Sequence, residues 1–96
     1  MNEIWIIVTE GCEGCRIATN LVNKAVEKSG QDIEVKINIK TEIINHLDEH
    51  YKTFIKTYDI KDFPTIVFIK NDVVMSIHTG TMPVPQILHE IKLWFN

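Results

Sequence analysis

Five consecutive apolar residues, Ile4-Trp5-Ile6-Ile7-Val8, stand between Glu3 and Thr9, and no other segment restricts the fold as much. They are mostly β-branched or aromatic, so residues 3–9 read as a strand. Strand side chains alternate between faces, and a run without a polar break is therefore buried on both. Such a strand is central to a sheet that carries helices above and below, which defines an α/β class. With 96 residues, the chain is expected to form one compact domain over 1–96, with no room for a second core.

After the strand the periodicity changes. From Arg16 the pairs Ile17/Ala18, Leu21/Val22 and Ala25/Val26 recur four apart between polar residues, the pattern of an amphipathic helix. Gly30 is expected to end it near Ser29 in a left-handed conformation, with Lys28 in the last turn complementing the helix dipole. Residues 32–40 alternate, with Ile33, Val35, Ile37 and Ile39 against Glu34, Lys36, Asn38 and Lys40, so this strand buries one face and belongs at an edge. Ile43, Ile44, Leu47, Tyr51, Phe54, Ile55 and Tyr58 fall three and four apart. They predict a helix over 42–58 with Thr41 as its N-cap and Tyr51, Phe54 and Tyr58 in the core. Residues 65–70 form another buried strand, and Asn71-Asp72 joins it to a strand over 73–78 as a hairpin. A last helix carries Ile87, Leu88, Ile91, Leu93, Trp94 and Phe95, the aromatic pair sealing its end. The predicted order is β-α-β-α-β-β-α. A right-handed crossover makes the first two strands parallel, and the hairpin makes the last two antiparallel. This gives a four-stranded mixed sheet in the order 2-1-3-4, with helices on both faces.

Ten basic against thirteen acidic residues give a formal charge of −3, so no basic field gathers phosphates and nucleic acid is not an expected partner. The apolar run is far short of the roughly 20 residues that span a bilayer. Met1-Asn2-Glu3 lacks the basic start of a secretory signal, so a cytoplasmic location is expected. Two cysteines are too few for the disulfide framework of a small secreted domain. Their spacing, Cys12-Glu13-Gly14-Cys15, suggests redox or metal chemistry instead.

The pair falls where the first strand ends and the first helix begins. Cys12 is expected at or just before the first turn, beside amide groups that lack intrahelical partners. A cysteine so placed can drop from a pKa of about 8.5 into the range of roughly 3.5 to 7.5 and attack near neutral pH. Glu10 and Glu13 oppose that shift. Cys15, one turn on, can close a disulfide with Cys12 or resolve a mixed one. Cys12 attacks and Cys15 resolves. His46 and His50 are spaced four apart but have no third ligand, and read as solvated polar residues.

Further on, the chain runs Tyr58-Asp59-Ile60-Lys61-Asp62-Phe63-Pro64-Thr65-Ile66-Val67-Phe68-Ile69-Lys70-Asn71-Asp72-Val73-Val74. With the C-x-x-C after the first strand and Gly80 after the last, this resembles the thioredoxin-like family over nearly the whole chain. The resemblance implies a cis proline at Pro64 lying against the active-site disulfide, with the Phe63 backbone free to pair with a substrate strand. It implies a thiol–disulfide oxidoreductase with Cys12 and Cys15 catalytic and Phe63 and Pro64 binding substrate, and a monomer is expected. Protein thiols and disulfides would be its substrates, a separate reductase would recharge it, and no cofactor or metal would be needed. Some positions depart from the pattern. Gly11 replaces a tryptophan, Glu13-Gly14 replaces Gly-Pro, and Ile6 replaces a buried carboxylate whose accompanying lysine matches Lys36. The extra N-terminal strand and helix are not expected, which leaves the smaller glutaredoxin-like core. Thr79-Gly80-Thr81-Met82 lacks the Gly-Gly and acidic residues that hold glutathione in glutaredoxins.

Two other readings stay open. Thr9-Glu10-Gly11-Cys12-Glu13-Gly14-Cys15 also resembles copper-chaperone domains, in which two thiolates carry Cu(I). Those domains run β-α-β-β-α-β. The third reading is a thioredoxin-shaped binding module whose cysteines are idle.

Overall fold

The computed structural model describes residues 1–30, 36–43 and 49–95. Strand β1 (Asn2–Val8) lies inside the sheet. On one side it pairs in parallel with β2 (Ile37–Ile43), and on the other it pairs antiparallel with β3 (Thr65–Lys70). Strand β4 (Val73–Thr79) closes the far edge antiparallel to β3, giving the order β2-β1-β3-β4. Helices α1 (Glu13–Ser29), α2 (Glu49–Thr57) and α3 (Val84–Phe95) complete the expected sequence of elements.

The unbroken apolar run of β1 divides as its periodicity requires. Ile4, Ile6 and Val8 join Ile66 and Phe68 of β3 beneath Ala18, Val22 and Ala25 of α1 and Ile87, Ile91 and Phe95 of α3. Ile7 points the other way with Val67, Ile69 and Ile60, where Trp5 and Ile55 of α2 pack against them. Each fully buried Ile, Val or Phe contributes about 1.5–3 kcal/mol. The two inner strands thus cement both layers. Among the described residues no helix is long and apolar enough to cross a membrane.

The β3–β4 turn is dictated by its residues. Asn71 and Asp72 have φ of 52° and 65°, and positive φ at both central positions is what a two-residue type I′ hairpin turn needs. A polar link that the sequence pattern does not reveal ties β4 to α3. Glu90, only 7% exposed, accepts from Trp94 Nε1 at 2.9 Å and bonds His78 Nε2 with its other oxygen. The buried carboxylate is satisfied on both oxygens, as burial demands.

Several expectations need correction. Thr41 is not a helix N-cap: it lies within β2, which runs on to Ile43, and α2 begins at Glu49. The reason is the ladder, because β2 pairs with β1 as far as Val8–Ile43. Ile37, Ile39, Thr41 and Ile43 continue one alternation, so local sequence fits strand as well as helix there, and pairing decides. Gly30 has φ −61°, the right-handed helical region, and its N–H donates to Val26 O at 3.1 Å. The last helical hydrogen bond is thereby kept without a left-handed residue. Ile17 is 45% exposed, Leu93 55% and Tyr58 37%. The first two lie on the outer side of their helices, and Tyr58 lies just past the end of α2. Residues 32–35 of the predicted second strand, His46, and the side chains of His50, Tyr51 and Phe54 fall outside the described residues.

Ile66 is fully buried on an inner strand. Ile66→Ala is expected to lower stability by about 2–5 kcal/mol, read as a lower urea midpoint at unchanged slope.

Candidate active site

Three residues, Thr9, Glu10 and Gly11, carry the chain from the end of β1 to α1. Gly11 has φ +69°, a region that glycine enters without the steric cost of a Cβ. That turn delivers Cys12 in extended conformation, φ −95° and ψ 105°, as the N-cap of α1. Its Sγ accepts the Cys15 N–H at 3.1 Å, the bond that a serine or aspartate oxygen makes at this position. Cys12 and Cys15 are joined as a disulfide with Cα atoms 5.2 Å apart, within the usual range for such a bridge.

The two sulfurs have different surroundings. Cys15 is 4% exposed within the core cluster beneath α1 and α3, whereas Cys12 is half-buried and packs at its margin. A reagent arriving from solvent meets Cys12 first.

Phe63 and Pro64 arrive from the opposite side, just ahead of β3. The Phe63–Pro64 peptide bond is cis. A Cβ built on Gly14 would stand 3.7 Å from Pro64 Cδ, so the proline ring faces the Cys-Glu-Gly-Cys turn. Pro64 O accepts the Gly80 N–H at 2.8 Å and Thr65 Oγ1 donates to Asp62 O at 2.7 Å, which ties this segment to the end of β4 and to its own turn. Phe63 is half-buried and touches both core clusters. The fold thus gathers Cys12, Cys15 and Pro64 at one end of the sheet, with Phe63 beside them.

Ile6 is fully buried in the apolar core and Lys36 is exposed, so neither supplies a buried charge behind the cysteines. Glu90 is a buried carboxylate, but both of its oxygens are committed to His78 and Trp94.

The site has a second side that sequence reasoning missed. An open groove of about 410 Å³ flanks Cys12 toward β2, and Glu10, Glu13, Arg16, Thr19 and Thr41 line it. Pro64 precedes β3, and β2 and β3 lie on opposite sides of β1, so the groove and the proline flank the cysteines from opposite sides. Glu13 and Arg16 form an exposed ion pair across one helical turn. Such a pair contributes about 0–1 kcal/mol to stability, so its importance lies in the local field. Arg16 is adjacent to Cys15 in the sequence, and that adjacency is the one local signal that could have found it. Thr41 reaches the groove only because β2 extends to Ile43.

No protein-family model matches the sequence, and no curated protein is significantly similar to it. Solved structures do match. The chain is similar to thioredoxin-2 of the malaria parasite, with TM-score 0.74 and 16% identity over 97% of this chain and 82% of that one. It is similar to the thioredoxin of Aeropyrum pernix, with TM-score 0.71 and 18% identity over 96% and 73% of the two chains. A thioredoxin-like protein from Clostridium perfringens gives TM-score 0.72 and 21% identity over 97% and 70%. These likenesses define the fold: the chain has the thioredoxin fold. Its element order also differs from the β-α-β-β-α-β arrangement of copper-chaperone domains.

The geometry of the site carries two testable consequences. Gly11→Ala is expected to cost about 1–2 kcal/mol in urea unfolding, since a left-handed alanine is strained. Gly14→Ala meets only ordinary contact at Pro64 and should be milder. In protein reduced with dithiothreitol, brief iodoacetamide treatment and mass mapping should find Cys12 alkylated before Cys15, and the opposite order would reverse their roles.

Proposed function

We propose that this chain is a dithiol–disulfide oxidoreductase acting on protein substrates. The observation that carries the reading is the position of Cys12: it caps a helix, holds an amide donor on its sulfur, and is bonded to a buried Cys15 one turn away. Donors and the helix dipole at that terminus stabilise negative charge on sulfur, so Cys12 suits both attack and departure as a thiolate.

In the reducing direction, the Cys12 thiolate attacks one sulfur of a substrate disulfide. A Cys12–substrate bond forms, and the other substrate sulfur leaves as a thiolate. Cys15 then loses its proton to solvent and attacks Cys12 Sγ, which closes the Cys12–Cys15 disulfide and releases the second substrate thiol. Two electrons pass from the protein to the substrate, and a separate dithiol reductase restores the cysteines. The same steps in reverse oxidise a substrate dithiol. The Phe63–Pro64 segment would position the substrate backbone beside Cys12, as the likeness to thioredoxins implies. Ile6 offers no carboxylate to Cys15, and solvent is the acceptor proposed for its proton. The expected setting is the cytoplasm, with the chain acting as a monomer.

Trapping tests the mechanism. Cys15→Ser should accumulate a mixed disulfide between Cys12 and substrate thiols, because the resolving attack is gone, and Cys12→Ser should accumulate none. The wild type should accelerate insulin reduction by dithiothreitol and both variants should not. Equal trapping by the two variants would exclude attack by Cys12 and resolution by Cys15, and an inert wild type would favour a binding module.

A further inference from the structure

The redox reading leaves open which disulfides the site accepts, and the groove toward β2 bears on that question. We infer that this groove selects disulfides flanked by positive charge and discriminates against those flanked by negative charge. The inference rests on the oxidoreductase reading and deepens it. Cys12 forms part of the groove wall. A substrate sulfur bonded to Cys12 therefore brings its own flanking residue to the mouth of the groove. Among the described residues, the charged lining is two carboxylates, Glu10 and Glu13, and one guanidinium, Arg16. Arg16 is held by Glu13, so two negative charges less one positive charge leave the lining at −1. The rest of the described lining is neutral: Val8, Gly11, the cysteines and three threonines. No second cation there offsets Glu10.

Like charge at a docking mouth rejects a partner and opposite charge favours it, which is how close surfaces acquire specificity. A unit charge about 6 Å from another in water changes an equilibrium roughly threefold. Exchanging a lysine for a glutamate reverses the sign, so a preference on the order of tenfold is expected. These side chains are exposed, and salt should therefore screen the preference. The arrangement also predicts opposite effects within the ion pair. Removing Arg16 uncovers Glu13 and takes the lining to −2, whereas removing Glu10 or Glu13 takes it to zero.

The test uses protein reduced with dithiothreitol and freed of it. The substrates are disulfide-linked dimers of acetyl-Gly-Cys-Xaa-amide with Xaa lysine, glutamine or glutamate. In each single turnover Cys12 and Cys15 become a disulfide and the dimer becomes two peptide thiols, so no further reductant enters the balance. Dividing each rate by that of the neutral dithiol dithiothreitol removes the intrinsic reactivity of the peptide. At low salt the lysine dimer should react about tenfold faster than the glutamate dimer, with the glutamine dimer between them. The ratio should approach one at about 1 M salt, where the screening length is ~3 Å. Glu10→Gln and Glu13→Gln should lower the ratio and Arg16→Gln should raise it. A change in Cys12 reactivity alone would move all three peptides together. A wild-type ratio near one, or a ratio that Glu10→Gln and Arg16→Gln leave unchanged, would overturn the inference while the oxidoreductase reading stands. Failure of the reduced protein to cleave any dimer would overturn both.

Discussion

The structure depends on β1 being paired along both edges and covered on both faces. Ile4, Ile6 and Val8 fill the cluster under α1 and α3, Ile7 joins the opposite cluster, and the backbone serves β2 and β3 at once. Such a strand has little freedom to shift, because a slip of one residue would exchange its two faces. The turn after β1 is therefore held at a fixed height at the end of the sheet. Cys12 lies only four residues beyond Val8, where that rigidity is of most use to the pair.

The chemistry of the pair is set by where the helix starts. Orphan amide groups at a helix N-terminus need acceptors, and here the sulfur of Cys12 is one of them. The same placement leaves Cys12 half-buried at the core's margin and puts Cys15 one turn inside, within the core. A single local structure thus gives one sulfur donors and exposure and gives the other shelter. The segment ending at Pro64 closes one flank, anchored by Gly80. The groove with its two carboxylates and one guanidinium opens the other. Electrostatic selection at such a rim acts on which partner docks more than on how tightly it is held.

One buried polar group elsewhere obeys the same accounting. Glu90 is buried but shared between His78 and Trp94, so its bond to His78 ties α3 to the edge strand, while Ile87 and Ile91 pack in the cluster with β1, β3 and α1. The position where the resemblance expects a buried acid is occupied by Ile6, which packs in the apolar cluster instead. Among the described residues the one buried carboxylate stands on a helix, and the floor beneath the cysteines is apolar.

The sequence by itself determined the order of elements, the central place of β1, the hairpin at Asn71-Asp72 and the placing of Cys12 at a helix start. Each of these rests on periodicity or turn chemistry within a few residues, which the chain carries locally. Only tertiary pairing decided that Thr41 and Ile43 extend β2, since their alternation and their helical spacing compete and the ladder to Val8 outweighs a nascent helix. The groove beside Cys12, with Thr41 in its wall, exists because of that extension. The exposure of Ile17 and the bond from His78 to Glu90 likewise depend on how whole elements pack against one another. Contacts between residues distant in sequence leave no periodic trace, and here they built one flank of the site.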